Sequence, residues 1–264
     1  MQKPHHLLPR FFVEGDFSNN THVTLMTQHH QLVHVRRLGV GDGLVVFNAE
    51  AGAWRAEMTG ISKKSVQVRC VQQVQAPAPM PDVWLYFAPI KSGRLENIIE
   101  KATELGVGEL CPIITQHTQV QKINMARLQS ICIEAAEQCE RLTIPRLHAP
   151  QTLKEMLAAH APDRVMLFCA EAGEVMPIHQ ALASAPPPHT AWSKVAILTG
   201  PEGGFSAEEL ALVRQHASAL AVGLGPLILR ADTAALAALA CWQSWHGNWA
   251  AATAPRPPYQ HAGG

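Results

Sequence analysis

Two glycine-bearing turns carry the residues of this sequence best suited to chemistry. The first is LTGPEGGFSAEEL, Leu198 to Leu210; the second is VGLGPLILRADTAALAAL, Val222 to Leu239. Each interrupts an apolar run and leads into a helical pattern. Ser206 and Glu209 form a capping-box pair at the start of one helix, and Asp232 is placed to cap the Ala/Leu-rich helix after the other. Glycine leaves backbone amides uncovered and lets a ligand come close. A phosphate is the usual occupant of such a turn, yet both phosphate templates fail. No GxxxxGKS or GxxxxGKT stretch exists, and GPEGG late in the chain is not the GxGxxG that follows the first strand of a dinucleotide-binding fold. The turns hold no lysine, and Leu198, Leu224, Leu227, Ile228 and Leu229 surround them. Such a lining suits a flat, largely uncharged group held by backbone N–H and C=O; an adenine fits.

Those turns need strands behind them. From Val83 onward the strand-like runs VWLYFAPI, ELCPIIT, RVMLFCA, KVAILTG and LAVGLG alternate with helical patterns. In RLENIIEKATELG, residues Leu95, Ile98, Ile99, Ala102 and Leu105 recur at helical spacing and Gly106 is a ready C-cap. A second helix is expected over MARLQSICIEAAEQCER. Alternation of this kind predicts an α/β fold with a mostly parallel sheet, and it sets both turns at the C-terminal strand edge, where such sheets bind ligands.

Residues 1–75 follow a different grammar. THVTLM, GLVVFNA, AWRAEMTGI and SVQVRCVQQV are short, rich in β-branched residues and punctuated by glycine, which predicts a small all-β barrel or sandwich. The expected organisation is therefore a β domain over 1–75, a proline-rich linker over 76–82, an α/β domain over 83–250 and a disordered tail over 251–264, with ASAPPPHTAW as an internal loop.

The chain has 264 residues and no net charge, but residues 1–75 hold eight Lys/Arg against five Asp/Glu and six histidines. That local excess fits contact with a polyanion, or equally a solvated positive face. No apolar run is long enough to span a bilayer, and the start lacks a secretory signal, so a cytoplasmic location is expected. The six cysteines form no CxxC pair and read as buried free thiols. The fourteen histidines show no ligand spacing, so no metal is expected.

The motifs together resemble one family. LTGPEGGFSAEEL, LGPLILRADTAALAAL, IIEKATELGV and EAAEQCERLTIPRL, with PRFFVEGDF and SKKSVQV nearer the start, are similar to signatures of the RsmE family over roughly residues 8–247. That family methylates 16S ribosomal RNA at N3 of a uridine and belongs to the SPOUT methyltransferases. The resemblance implies a dimeric α/β enzyme whose C-terminal segment forms a trefoil knot, preceded by a PUA-like RNA-binding β-barrel. It implies S-adenosylmethionine as cofactor, the small ribosomal subunit as partner, and neither membrane nor metal.

Under that reading Leu198, Thr199, Gly200, Glu202, Gly203, Gly204, Leu224, Gly225, Ile228, Leu229 and Thr233 hold the cofactor. N3 of uracil is protonated at neutral pH, so a fixed guanidinium would help create the anion. Arg230 is the first candidate and Arg94 the second, with a phosphate contact equally open for Arg94. Arg10, Arg36, Arg37, Lys63, Lys64, Lys91 and Arg141 are the expected RNA contacts. Departures from the family pattern stand at Gln31, Arg36, Glu140, where a glycine is usual, Ala231 and Asp232. A transfer-RNA methyltransferase of the same fold and a non-catalytic RNA-binding module stay open as alternatives.

Overall fold

The protein is described by a computed structural model covering residues 4–80, 82–120, 122–171, 173–184 and 194–250. The expected disordered tail lies outside these residues, as does most of the expected ASAPPPHTAW loop.

The first sheet has five strands: β1 (Arg10–Phe12), β2 (His22–Leu25), β3 (Gly43–Asn48), β4 (Gly52–Ile61) and β5 (Val66–Gln75). Their order is β1-β3-β4-β5-β2, with β1 parallel to β3 and the other pairs antiparallel. Register shifts interrupt the β4–β5 ladder between Ala53 and Trp54, Arg55 and Ala56, and Met58 and Gly60; such bulges bend a sheet. The bend lets all five strands feed one core, with Phe11, Leu25, Val46, Met58 and Val68 in a single cluster. Both faces of β3 are apolar because both are covered. Leu44 and Val46 enter that core, whereas Val45 and Phe47 pack against Ala136 and Leu142 of the second part of the chain.

The second part is a parallel sheet between two helical layers. In chain order it comprises β6 (Asp82–Phe87), α1 (Ser92–Glu104), β7 (Glu109–Ile114), α2 (Met125–Cys139), β8 (Arg146–Leu147), β9 (Gln151–Thr152), α3 (Leu153–Ala159), β10 (Val165–Cys169), β11 (Met176–Pro177), α4 (Ile178–Ala183), β12 (Lys194–Thr199), α5 (Ala207–Gln215), β13 (Ala219–Gly223) and α6 (Ala231–Trp245). The strand order is β11-β13-β10-β12-β6-β7-β8, with β9 beside β7. All five expected strands are present as β6, β7, β10, β12 and β13, and every pair among them is parallel.

Alternation along each strand feeds the two layers. Val83, Leu85 and Phe87 join a core with Ile98, Leu128, Ala235 and Trp242, while Tyr86 joins one with Met156 and Val213 on the other face. Helix α1 ends as its sequence predicts, with Gly106 at φ 82°. Helix α2 ends at Cys139, and Glu140 takes the left-handed C-cap at φ 64°. The short strands β1, β8, β9 and β11 and the helices α3 and α4 are additions to the sequence reading; elements of two to seven residues carry too few periodic positions to announce themselves.

Candidate active site

Strands β10, β12 and β13 end side by side, and the loops that leave them surround a shallow, open cleft of about 100 Å³. Thr199, Gly200, Leu224, Gly225, Ile228 and Leu229 line it, together with Pro226 and Leu227. A third wall, Cys169, Ala170 and Glu171 at the end of β10, was not expected. Its only signal in the sequence is a strand running into the small residues of FCAEAG. Burial pushes the Cys169 thiol up to about 12, so the thiol in that wall is uncharged.

The second turn is built to offer its backbone. Among the described residues, Leu224 to Leu229 make no backbone–backbone hydrogen bond to one another or to other segments. Gly225 sits at φ 114°, where an L side chain is strained, and a Cβ there would meet nothing within 4 Å. Leu227 and Ile228 are 76% and 86% exposed, unusual for two neighbouring large aliphatic residues.

The first turn is more tightly packed. A Cβ on Gly200 would come within 2.7 Å of the Phe205 ring, which meets Phe168 edge-on. A side chain at 200 would therefore have to displace the Phe205 ring. The capping box at Ser206 and Glu209 is formed as its spacing predicts. The later residues of the turn, Glu202 to Gly204, contact neighbouring segments. Glu202 points to Arg94 in the first turn of α1, with Oε1 3.6 Å from the guanidinium Nη1. His117 Nδ1 lies 3.0 Å from the carbonyl oxygens of both Gly203 and Gly204. Because carbonyls only accept, that nitrogen carries the proton. The neighbouring Gln116 N–H donates to Glu209 at 2.8 Å, so the loop after β7 is clamped onto the GPEGG turn. His117 is a residue that sequence reasoning missed, since nothing local marks it.

Several expectations need correction. Leu198 is fully buried in β12, and Glu202, Gly203, Gly204 and Thr233 do not line the cleft. Glu202 lies four residues before the Ser206 cap and pairs with Arg94 in the first turn of α1. Asp232 does not cap α6: the N-cap is Arg230, and Asp232 lies inside the first turn with a buried Oδ1 that has no hydrogen-bond partner among the described residues. Arg230 is exposed at the mouth of that helix.

The basic residues divide into two groups. Arg36, Arg37, Lys63, Lys64 and Lys91 are exposed. His29 links the first two pairs, since its Nε2 lies 3.0 Å from the Ser62 carbonyl and its ring meets that of His34. Arg10 instead reaches Gln75 and the Glu140 carbonyl and lies over the Phe47 ring. Arg141 is only 8% exposed and donates to the carbonyls of Thr103 and Val107 and to Thr143 Oγ1. It is a structural clamp at the end of α2, and the expectation of an RNA contact is withdrawn.

A family model described as an RNA methyltransferase domain matches residues 76–243, and one described as an RNA methyltransferase PUA domain matches residues 28–70. Ribosomal RNA small subunit methyltransferase E of Rickettsia conorii is 34% identical, covering 88% of this chain and 93% of its own length. The Synechocystis protein of the same name is also 34% identical, over 83% and 71%. Among solved structures, Legionella pneumophila Lpg2936, in complex with the bound cofactor SAM, superposes with a TM-score of 0.79 at 29% identity, over 91% of this chain and 99% of that one. The Neisseria gonorrhoeae methyltransferase E bound to S-adenosyl methionine shares the fold at a TM-score of 0.79 and 24% identity, covering 92% of this chain and 99% of its own. The chain with this cleft belongs to the ribosomal RNA small subunit methyltransferase E family of RNA methyltransferases.

Proposed function

We propose that this chain transfers a methyl group from S-adenosylmethionine to N3 of an unpaired uridine in the 16S RNA of the small ribosomal subunit. The observation that carries the reading is the cleft at the ends of β10, β12 and β13, with its row of unpartnered backbone amides. Its lining fits an adenosyl group: Leu224, Leu227, Ile228 and Leu229 stand beside polar groups at Glu171, Thr199 and the backbone, with no cationic side chain and open space over Gly225. Family membership and the cofactor held by the Legionella neighbour support the same assignment.

When bound, the cofactor supplies a methyl already activated as an electrophile on a sulfonium. The chain must hold the acceptor in line with it. It must also favour loss of the N3 proton. Arg230 stands at the α6 N-terminus beside the cleft loop, exposed and without a capping hydrogen bond. A guanidinium there stabilises the charge spread over N3 and both uracil carbonyl oxygens, aided by the positive end of the helix. Arg94 already shares its charge with Glu202, so its part is to fix the GPEGG turn or to meet a phosphate. N3 lies on the pairing edge of the base, so the target is unpaired or turned out of its helix. The exposed Arg36, Arg37, Lys63, Lys64 and Lys91 supply phosphate contacts, and affinity falls with salt.

We also propose a homodimer in the cytoplasm. Leu227 and Ile228, highly exposed on the loop that lines the cleft, are the apolar pair a second copy would cover. No described helix is long and apolar enough to cross a membrane.

The test of the reaction is incubation with labelled cofactor and purified small subunits, followed by nucleoside mass spectrometry. Label recovered as 3-methyluridine in 16S RNA is the expected result. Label in transfer RNA, or as a 2′-O-methyl nucleoside, overturns it. Absence of cofactor binding by calorimetry leaves only an RNA-binding module.

A further inference from the structure

The sequence shows no metal-ligand spacing, yet the fold brings three different donors together far from the cleft. Residues two apart on a strand share a face, so Glu109 and Cys111 of β7 point to the same side. Strand β8 runs parallel to β7 with Leu110 opposite Leu147, and the His148 N–H donates to the Leu110 carbonyl at 2.9 Å. That register sets the His148 ring over the same face. A nitrogen of His148, a carboxylate oxygen of Glu109 and the Cys111 sulfur all lie within 4.8 Å of one another. His148 Nε2 already hydrogen-bonds the Glu109 carboxylate.

We propose that Glu109, Cys111 and His148 form a binding site for a divalent cation of the zinc class. The donor set is the first argument. One imidazole, one thiol and one carboxylate suit Zn²⁺ or Co²⁺, whereas Mg²⁺ and Ca²⁺ select oxygen alone. The second argument is independent of the cluster's composition. Cys111 is 2% exposed, and its sulfur, which reaches the other two donors, makes no hydrogen bond among the described residues.

Bonds of about 2.0–2.3 Å require only that the three donors close around a central ion. Glu109 and His148 are partly exposed, which gives the ion an entry path and leaves room for a water as fourth ligand. On binding, the Cys111 S–H bond breaks and its proton goes to solvent. The His148–Glu109 hydrogen bond opens, the Nε2 proton leaves to solvent as the ring takes up a proton on Nδ1 from solvent, and thiolate plus carboxylate balance the two positive charges. Two cations act on this corner, Arg146 and Arg164. Arg164 is neutralised by Asp82 at 2.8 Å and lies over the Trp84 ring at 3.8 Å. Glu109 opens β7, at the opposite sheet edge from the cleft, so the ion would pin β8 to β7 and take no part in methyl transfer.

The test is titration of the metal-stripped full chain with Co²⁺, followed by optical absorption. The expected result is a thiolate-to-cobalt charge-transfer band that saturates at one equivalent and is displaced by Zn²⁺. The band disappears in Cys111→Ser. Affinity falls at least about tenfold in His148→Gln, as loss of a single ligand interaction commonly costs. Zn²⁺ raises the melting temperature of the parent and does not raise that of His148→Gln. The other histidines cannot imitate this result, because imidazole alone gives no thiolate band. Absence of the band in the parent overturns the proposal, as does a band that survives Cys111→Ser and therefore belongs to another thiol. Should Cys111→Ser fail to fold, the partly exposed His148→Gln and Glu109→Gln decide the question in its place, since a band unchanged in both also overturns the proposal.

Discussion

Arg94 and Glu202 join α1 to the GPEGG turn: the guanidinium Nη1 stands 3.6 Å from the carboxylate Oε1. Both side chains are more than a third exposed, so the pair adds little to stability, about 0–1 kcal/mol. Its value lies in fixing the turn. Arg94→Ala and Glu202→Gln should each lower kcat/KM, by about tenfold, and the double variant should be no worse than either single one. Residues that act as a pair are non-additive in this way. Additive losses in the double-mutant cycle would instead place Arg94 on the RNA, acting independently of Glu202.

Arg230 gives a sharper test. Arg230 is the N-cap residue of α6, next in sequence to the loop that lines the cleft, and is not itself among the lining residues. Arg230→Ala is therefore expected to lower kcat by about 10²–10³, the usual loss for one electrostatic donor to a developing anion. Cofactor affinity by calorimetry should change little. Arg230→Lys should recover part of the rate, because a point charge replaces the fork. Equal losses in kcat and in cofactor affinity would mean that Arg230 binds the cofactor and does not stabilise uridine.

The sequence revealed most where chemistry and period agree locally. The capping box at Ser206, the C-cap at Gly106 and the five core strands each rest on a few adjacent residues, and the two turns duly come together at one strand edge. What stayed hidden depends on contacts between distant segments. His117 reaches the carbonyls of Gly203 and Gly204 from another strand's loop. The wall at Cys169 joins the cleft only because β10 lies between β12 and β13. Arg141 looked like a surface cation because charge is the only thing a sequence shows of it. Its burial follows from the carbonyls of Thr103 and Val107 gathered around it. Asp232 failed as a cap by position alone, since α6 begins two residues too early for it.

Glu137 makes the junction between the two parts of the chain sensitive to pH. It lies on α2 and accepts a hydrogen bond from the Phe12 N–H of β1 at 3.0 Å. Burial pushes its carboxyl up to about 7, against the smaller opposing effect of that hydrogen bond. A folded-state value above the unfolded one means that folding favours the protonated form. The resulting stabilisation is complete below the ordinary carboxylate range and is lost as pH rises through about 7. Glu137→Gln keeps an acceptor for Phe12 and removes the titration. The variant should match the parent near pH 4 and exceed it near pH 8 by roughly 2 kcal/mol in denaturant unfolding. A difference that does not change with pH would show that Glu137 titrates alike in both states.

Glu140 occupies a position where the backbone asks for glycine. It closes α2 at φ 64° and ψ 19°, a left-handed conformation in which a Cβ costs about 1–2 kcal/mol. The family resemblance places a glycine at this point, and the geometry supplies the physical reason. The Glu140 side chain makes no hydrogen bond or ion pair among the described residues; its carbonyl, which Arg10 approaches at 3.5 Å, would be kept in a variant. Glu140→Gly should therefore stabilise the chain by about 0.5–1 kcal/mol, the relief of strain being partly offset by the larger entropy of an unfolded glycine. The measurement is the urea midpoint at constant m-value, with Glu140→Ala as control. Alanine keeps the Cβ and should gain nothing, so an equal gain in both variants would assign the effect to the lost charge and not to the backbone.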